Sequence, residues 1–257
     1  YCLHSDLDAT ENLWKTRAEP LQLRRALGEK HDSYFMCKSD AQIGEAIVKK
    51  RVEQLIGRKV ERATVKPGST FRYPVPDFMR FDTPELQSIL ERLRVTDFTI
   101  KSDGKVDMPE WLANTQVTIG NTTYQMGIGG LHSTESNRAV FSDDDFVLVD
   151  ADVASQYPSI ILLLGLFPQS LGPDYLTAYA AIKEERLRAK KRAKAIKDEK
   201  EALRDRLDEL GKDGVKKAYL ALEQELLECQ VADKAGKLSL NGVYGKLGSR
   251  YSVLYAP

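Results

Sequence analysis

The sequence feature that most constrains the fold is a pair of long, heavily charged stretches separated by a short glycine-flanked break. Residues 174–210 and 215–245 both carry apolar side chains at helical spacing, and residues 211–214, GKDG, predict a turn between them. Two helices joined by so short a turn pack side by side in opposite directions. The sequence therefore predicts a long antiparallel helical hairpin.

Composition limits the classes of function that the chain can have. The chain has 257 residues, of which 42% are hydrophobic and 30% are charged. Its longest apolar run, residues 160–167, is far shorter than the roughly 20 residues of a membrane-spanning helix. The 3 cysteines have no metal-ligand spacing, which favours a reduced intracellular setting. We therefore expect a globular intracellular protein that does not contact a membrane.

Basic residues are concentrated in two stretches, although the formal net charge of the chain is zero. Residues 183–197 contain eight basic and two acidic side chains, and residues 234–250 contain four basic and no acidic side chains. Clustered Lys and Arg side chains bind the phosphate groups of nucleic acids. Any phosphate-binding surface is therefore expected in these two stretches.

The first part of the chain has helical patterns. Residues 8–27 and 39–56 have apolar side chains at helical spacing, and Ser39 with Gln42 forms a capping-box pattern at the start of the second helix. Thr83 followed by proline predicts the start of another, shorter helix. We expect a helical N-terminal segment followed by a connecting region.

Two later regions have strand patterns. Residues 115–119 and 122–126 alternate around a Gly-Asn pair, which predicts a β-hairpin that leads into a glycine-rich run. Residues 146–153, FVLVDADV, are mostly β-branched and apolar, so we expect a buried strand whose end carries carboxylates. A helix is expected after it, over residues 157–164. Together these elements predict an α+β fold.

The end of the predicted buried strand is a candidate metal site. Residues 152–159 read DVASQYPS. A carboxylate at the end of a rigid strand, here that of Asp152, can coordinate Mg²⁺ through oxygen, with the carbonyl of Val153 as a second ligand. Free N–H groups at the following helix start can bind phosphate oxygens. In the alternative interpretation, Asp152 only caps the helix and Tyr157 is a core aromatic residue.

A second motif lies near the end of the hairpin. Residues 237–245 read KLSLNGVYG, which places Lys237, Asn241 and Tyr244 on one helical face. This face offers an ammonium group for phosphate, an amide, and an aromatic ring for stacking. A serine and a glycine lie roughly opposite, where small residues permit close packing. The alternative is an amphipathic helix with ordinary surface polar residues.

In this order, the two motifs resemble motifs A and B of the family B DNA polymerases, written DxxSLYPS and KxxxNSxYG. Two positions depart from that pattern, because Gln156 stands where leucine is usual and Gly242 where serine is usual. Neither departure removes a metal ligand or a phosphate-binding group. The resemblance implies a DNA-directed DNA polymerase, a nucleotidyltransferase that adds deoxynucleotides to a primer 3′-hydroxyl during DNA replication.

The resemblance implies a role for each residue of motif A. Asp152 would hold both catalytic Mg²⁺ ions, and the Val153 carbonyl would complete the shell of the nucleotide-bound ion. The N–H groups of Ser155 and Gln156 would contact the triphosphate. Tyr157 would pack under the sugar and exclude a 2′-hydroxyl group.

The hairpin would supply the remaining nucleotide contacts by the same resemblance. Lys237, a catalytic residue, would approach the triphosphate together with Asn241, and Tyr244 would line the nascent base pair. Arg186 and Lys190, four residues apart on the first hairpin helix, resemble the basic pair that grips the outer phosphates. The alternative for these two is a solvated surface charge, because their segment contains many Lys and Arg residues.

Glycines upstream of motif A resemble an element that touches the template strand. Residues 124–133 read YQMGIGGLHS, similar to the IGGLHS stretch of phage-type family members. By this resemblance Gly129 and Gly130 would contact DNA, as would Gly245 at the end of motif B. Spacing alone favours equally a glycine bend between two strands.

The resemblance implies an α+β fold made of a partial palm, a long antiparallel helical fingers hairpin and an N-terminal helical segment. Tyr1 precedes Asp6 by five residues, which is similar to the last motif of a proofreading exonuclease, where four is usual. The implied segments are 1–56 as the C-terminal remnant of a 3′–5′ exonuclease domain, 57–140 as a connecting region with a β-hairpin and a Gly-Gly linker, 141–173 as palm, 174–245 as fingers, and 246–257 as a return to the palm.

The resemblance also implies that the active site is incomplete in this chain. A two-metal site needs a second carboxylate, which the family supplies in motif C, downstream of motif B. Residues 246–257 hold no such motif, and the chain does not begin with methionine. We therefore expect an internal piece of a longer polymerase that is inactive alone and has no nuclease activity.

The implied partners are a DNA primer–template, a deoxynucleoside triphosphate (dNTP) and Mg²⁺, and other replication proteins are further candidates. The phage-like sequence implies the cytoplasm of a bacterial host. A competing interpretation is a non-enzymatic interaction module, in which the charged hairpin binds a partner. A reverse transcriptase or a single-subunit RNA polymerase is a second alternative, against which the paired motifs argue.

Overall fold

The computed structural model describes residues 3–127, 130–153, 155–205 and 207–256. The chain is α+β, as predicted, with 55% of its residues helical and two small antiparallel sheets. It forms two compact units, which we call the helical unit and the mixed unit. The helical unit comprises Tyr1–Arg62, Tyr157–Leu247 and Ser252–Ala256, and the mixed unit comprises Ala63–Gln156 and Gly248–Tyr251.

The helices and strands are labelled in chain order. The helices are α1 Leu3–Thr16, α2 Ala18–His31, α3 Asp40–Ile56, α4 Pro84–Val95, α5 Glu110–Ala113, α6 Gln156–Leu163, α7 Asp174–Asp205 and α8 Leu207–Leu247. The strands are β1 Thr70–Phe71, β2 Phe98–Ile100, β3 Val106–Asp107, β4 Gln116–Ile119, β5 Thr122–Gly127 and β6 Gly130–Ser133. None of the helices in the described ranges combines the length and hydrophobicity needed to cross a lipid bilayer.

Local signals in the sequence explain where α3 and α4 begin. The Ser39 hydroxyl accepts a hydrogen bond from the Gln42 N–H, and the Gln42 side chain accepts one from the Ser39 N–H at 2.8 Å, which confirms the capping box. Gly57 ends α3 with a φ of 69°, a left-handed conformation that glycine adopts without steric cost. Pro84 starts α4 as predicted, although the Thr83 side chain makes no capping hydrogen bond.

α7 and α8 form an antiparallel hairpin, as predicted. Arg186 of α7 pairs with Asp233 of α8 at 2.9 Å, and Arg192 pairs with Glu225 at 2.7 Å, so positions on the two helices run in opposite directions. The predicted turn at residues 211–214 is wrong, because α8 starts earlier and runs through these residues. Each glycine costs a helix only about 1 kcal/mol relative to alanine. The packing of a 41-residue helix along α7 outweighs that cost.

α3 crosses α8 at small residues. A Cβ atom added at Gly44 would lie 2.6 Å from the Leu238 carbonyl oxygen, and one added at Gly242 would lie 3.0 Å from the Ala41 Cα. The two backbones therefore approach more closely than larger residues allow. The N-terminal helices and the hairpin consequently share one hydrophobic core, which includes Leu27, Phe35, Ile43, Ile47, Val48, Tyr179, Leu240 and Val243.

The mixed unit contains two three-stranded antiparallel sheets, ordered β1-β2-β3 and β4-β5-β6. In the first sheet, the buried Phe98 packs edge-on against Tyr73 with ring centroids 4.8 Å apart and lies beside Phe71 at 6.1 Å. In the second sheet, β4 and β5 form the predicted hairpin, and Gly120 in its turn has a φ of 59°. Aromatic packing and turn chemistry therefore account for these small sheets.

Residues 146–153 contradict the prediction of a buried strand. They are neither strand nor helix, and the side chains of Val147 and Val149 are 76% and 78% exposed. A strand is buried only when other strands pair with its backbone and other elements cover its faces. Within the described part of the chain, the two sheets take up only β1–β3 and β4–β6, so this apolar run has no pairing partner.

Candidate functional site

The motif B residues lie on an exposed face of α8. Lys237, Asn241 and Tyr244 are exposed, whereas Ser239 and Val243 on the other side of the helix are buried. This is the arrangement that the helical spacing predicted. Lys237 forms no ion pair with the residues that the structure describes, so its ammonium group is available to an anionic ligand.

The two motif tyrosines stack on each other. The ring centroids of Tyr157 and Tyr244 are 4.1 Å apart, and the ring planes are inclined by 20°. Tyr157 lies in the first turn of α6, and Tyr244 lies in the last turn of α8. The two residues are 43% and 42% exposed, so the pair keeps an aromatic surface open to solvent. Such a surface suits the packing of a sugar or a base.

Arg186 of α7 is held against α8 at Asp233 and Gly236, which lie close to Lys237 in the sequence. Its Nε donates a hydrogen bond to the Asp233 carboxylate at 2.9 Å. Its aliphatic stem lies on Gly236, where an added Cβ would come within 2.6 Å of the Arg186 Cβ. The bond to Asp233 engages only Nε, which leaves the Nη groups to donate to a ligand. Lys190, one turn further along α7, is exposed.

Two further bonds fix α7 against the motif helices. The Lys183 Nζ donates to the Ser159 hydroxyl in α6 at 3.3 Å, and the Tyr179 hydroxyl donates to the Leu240 carbonyl in α8 at 2.9 Å. Burial raises the pKa of the Tyr179 phenol, so this hydroxyl remains a donor. α7 is therefore tied to the last serine of motif A and to the middle of motif B.

Packing against α3 requires a very small residue at position 242. Gly242 faces the α3 backbone, and an added Cβ would lie 3.0 Å from the Ala41 Cα and 3.3 Å from the Asp40 carbonyl oxygen. A serine side chain at position 242 would displace α3. Glycine at position 242 is thus a packing requirement of this chain.

The rest of motif A lies in the other unit. Asp152 and Val153 belong to the mixed unit, and Tyr157 and motif B belong to the helical unit. Asp152 and Val153 are exposed, and Asp152 makes no hydrogen bond or ion pair with the described residues. Ser155, which precedes Gln156 at the start of α6, has a φ of 57°, which is uncommon for a residue other than glycine. The N–H groups of the first turn lack acceptors within the helix.

The donor atoms at Asp152 and Val153 fit part of a magnesium shell. A free carboxylate and a backbone carbonyl are oxygen ligands of the type that Mg²⁺ prefers. The described residues contain no group of three or more His, Cys, Asp or Glu side chains that is arranged to hold a metal ion. Asp152 and Val153 would therefore need further oxygen ligands to complete the shell.

The predicted DNA-contacting glycines differ in their surroundings. Gly130 starts β6 with a φ of 140° and pairs with Gly127 of β5, which fits the glycine bend between two strands. Gly245 on α8 is exposed, with open space where a Cβ would be. Gly129 lies outside the described residues, as does Tyr1 of the exonuclease-like motif. The DNA contacts remain a prediction.

Three residues that help to build this face were not singled out from the sequence. Asp233 holds the guanidinium of Arg186, Gly236 accommodates its stem, and Lys183 bonds to motif A. Asp233 lies four residues before Lys237, and opposite charges at this spacing on a helix can be recognised from the sequence. The other two depend on the packing of α7 against α8 and α6, which spacing within one helix does not reveal.

The chain matches no protein-family model, and searches among curated proteins and among solved structures give no match either. A functional assignment therefore depends on the two motifs and on the contacts of their residues.

Proposed function

We propose that this chain is part of a DNA-directed DNA polymerase of the family B type. The reaction is template-directed transfer of a deoxynucleotidyl group to a primer 3′-hydroxyl. The observation that supports the proposal is the stack of Tyr157 on Tyr244, because it brings one residue of motif A into contact with one residue of motif B although they are distant in the sequence. α7 and α8 would be the fingers, and residues 141–173 would contribute to the palm.

The exposed face of α8 has the chemistry that a dNTP requires. Lys237 offers an ammonium group that forms no ion pair with the described residues, and Arg186 offers from α7 the Nη groups that its bond to Asp233 does not use. Charge-assisted hydrogen bonds of this kind are the strong contacts to phosphate. Asn241 lies on the same face and supplies an amide that can donate or accept. The tyrosine pair would support the sugar and the nascent base pair.

By the resemblance to motif A, Asp152 and the Val153 carbonyl would hold Mg²⁺. Bound there, the ion would activate the primer hydroxyl and neutralise charge on the leaving pyrophosphate. N–H groups of Ser155 and Gln156 would hold phosphate oxygens, and Lys237 would stabilise charge on the triphosphate. Positioning and charge neutralisation carry the catalysis in this scheme.

The two-metal reaction would need a second carboxylate besides that of Asp152. We propose that the chain binds dNTP through the motif residues. A primer–template and other replication proteins would be its partners, in the cytoplasm of a bacterial host.

A second candidate function is a helical-hairpin interaction module. It is favoured by apolar side chains on α8, because Leu220 and Leu227 are 55% and 59% exposed. This function requires nothing of Tyr157, Lys237 or Asn241. The two functions therefore differ in what substitutions at the motif residues should do.

Sugar discrimination at Tyr157 tests the polymerase proposal. The affinities of the Mg²⁺ complexes of dCTP and CTP are measured by calorimetry for the unaltered chain, Tyr157→Ala and Tyr157→Phe. We expect the chain to prefer dCTP, Tyr157→Ala to reduce that preference about tenfold, and Tyr157→Phe to retain it, because only the ring blocks the 2′-hydroxyl. An unaltered ratio in Tyr157→Ala would favour the interaction module.

A further inference from the structure

A cavity of about 470 Å³ lies in the helical unit, away from the motif residues. Its walls are the C-terminal end of α2, one face of α3, and the first part of α7. Neither tyrosine of the stacked pair lines it, and neither Lys237 nor Asn241 does. A volume of this size is within the range of small-molecule sites, which is about 300–1,000 Å³.

Cations from two helices converge on this cavity. Lys30 at the end of α2 and Lys50 and Arg51 on α3 line it. The Lys50 ammonium donates to the His31 carbonyl oxygen, a contact that orders the side chain without neutralising its charge. Arg51 donates through one Nη to Glu185 at 2.6 Å, which leaves its other N–H groups free for a ligand.

The acidic groups near the cavity do not balance these cations. Asp32 lines the cavity, and Glu185 lies beside it in the ion pair with Arg51. Two carboxylates thus face three permanent cations, and His31 adds a fourth positive charge when it is protonated. The cavity is therefore selective for an anion over a metal cation.

His31 reports the electrostatic field in the cavity. Burial lowers the pKa of its imidazole, and the positive charges of Lys30, Arg51 and Lys50 lower it further, while Glu185 acts in the opposite direction. Three cations close enough to act on one ring indicate a concentrated positive potential. A perturbed histidine in a concave site is a recognised mark of a functional position.

Part of the cavity lining is apolar. Ile47 and Leu55 of α3 and Ala178 and Ala181 of α7 belong to this part. A separate small cavity of about 20 Å³, large enough for one water molecule, shares Lys30, His31, Ile47 and Arg51 with the larger one and is lined by Ser239 of α8. Ser239 is buried, and its hydroxyl has no hydrogen-bond partner among the described residues. The site thus combines convergent polar groups with an apolar lining.

We propose that this cavity is a second ligand site, which binds a phosphate ester between Lys30, Lys50 and Arg51 and places the organic part of the ligand against the apolar lining residues Ile47, Ala178 and Ala181. The phosphate group can come from a free nucleotide or from a polynucleotide backbone, since both carry the same anion. The inference does not require the polymerase proposal, because it uses none of the motif residues.

The test follows the His31 C2 proton by NMR at pH 6.5, assigned by its loss in His31→Gln. The probes are dAMP, a short oligothymidylate and inorganic phosphate. We expect saturable shifts and a rise in the pKa of His31 at saturation, because a bound anion favours the protonated ring. Tighter binding of dAMP identifies a free nucleotide as the source of the phosphate, and tighter binding of the oligonucleotide identifies a polynucleotide.

Matched lysine variants separate this site from general attraction of anions. Lys50→Gln and Lys30→Gln should each weaken binding about tenfold, because each removes a charge-assisted bond. Lys49→Gln removes the same charge from the neighbouring position, but Lys49 pairs with Glu53 and does not line the cavity. It should change affinity less than about twofold. Absence of a saturable His31 shift, or equal losses in the Lys49 and Lys50 variants, would overturn the proposal.

Discussion

Tyr157 and Tyr244 form a stacked pair with ring centroids 4.1 Å apart. One tyrosine follows the aspartate of the first motif, and the other ends the second motif, so the stack fixes the start of α6 against the end of α8. Both rings remain partly exposed, and each offers a face that the core does not use. The pair is therefore both a packing contact and a surface for a ligand.

The stack should contribute measurably to stability. Tyr157→Ala and Tyr244→Ala, combined in a double-mutant cycle, should give a coupling free energy of about 1 kcal/mol, as is usual for aromatic pairs. Urea unfolding measures it. The control is a second cycle that combines Tyr157→Ala with Tyr219→Ala. The effects of these two substitutions on the free energy of unfolding should be additive, because Tyr219 contacts Lys200 instead. Equal couplings in the two cycles would mean that the stack contributes nothing specific.

Two glycines on α8 should respond to alanine in opposite ways. Gly236→Ala should lower the free energy of unfolding by about 1–3 kcal/mol, because the new Cβ meets the Arg186 stem at 2.6 Å. A Cβ atom added at Gly245 would meet no atom within 4 Å. Gly245→Ala should therefore raise the free energy of unfolding by up to about 1 kcal/mol, because alanine has the higher helix propensity. Thermal and urea unfolding of the two variants check this. A stable Gly236→Ala variant would show that Arg186 does not lie against α8.

Asp233 should position Arg186 for nucleotide binding. Asp233→Ala removes the carboxylate that accepts from the Arg186 Nε, so the guanidinium becomes free to turn away. We expect affinity for the Mg²⁺ complex of dCTP to fall about fivefold, less than on loss of Arg186 itself. Glu184→Ala is the control, since it frees only the exposed Arg188 at 3.8 Å. Calorimetric titration compares the affinities of the Asp233→Ala and Glu184→Ala variants. Tighter binding by Asp233→Ala would show instead that the ion pair competes with the nucleotide for Arg186.

His31 should make stability depend on pH below neutrality. Its pKa in the folded chain is lowered from 6.5, mainly by burial and then by nearby cations, so the unfolded chain binds the proton more readily. The stabilising contribution is fully present above pH 6.5 and is lost as the pH falls from that value through the folded pKa. The difference in urea midpoint between the unaltered chain and His31→Gln, measured from pH 8 to pH 5, should therefore shrink or reverse on acidification. A constant difference would contradict this.

Local and helical signals were sufficient to predict much of the fold. The capping box of Ser39 and Gln42, the hairpin around Gly120, and the exposed face of Lys237 and Tyr244 all follow from interactions within a few residues. Such interactions are encoded in short stretches of sequence, so a pattern of spacing reveals them.

The errors concern features that depend on distant partners. Residues 146–153 have the composition of a strand, but a strand forms only where other strands pair with it. The glycines at 211 and 214 weaken a helix, yet a long helix packed along another tolerates them. The same reason explains why Gly236 and Lys183 were missed, because their importance arises from the pairing of α7 with α6 and α8.

The most direct test of the central claim is calorimetric titration of the chain with dCTP in the presence of Mg²⁺. Lys237→Ala should weaken binding about tenfold or more, because it removes an ammonium group that has no ion-pair partner among the described residues. Lys217→Ala removes an exposed lysine elsewhere on the same helix and should leave the affinity unchanged. Equal affinities for the unaltered chain and Lys237→Ala, or no binding by either, would contradict the assignment of this face to a nucleotide.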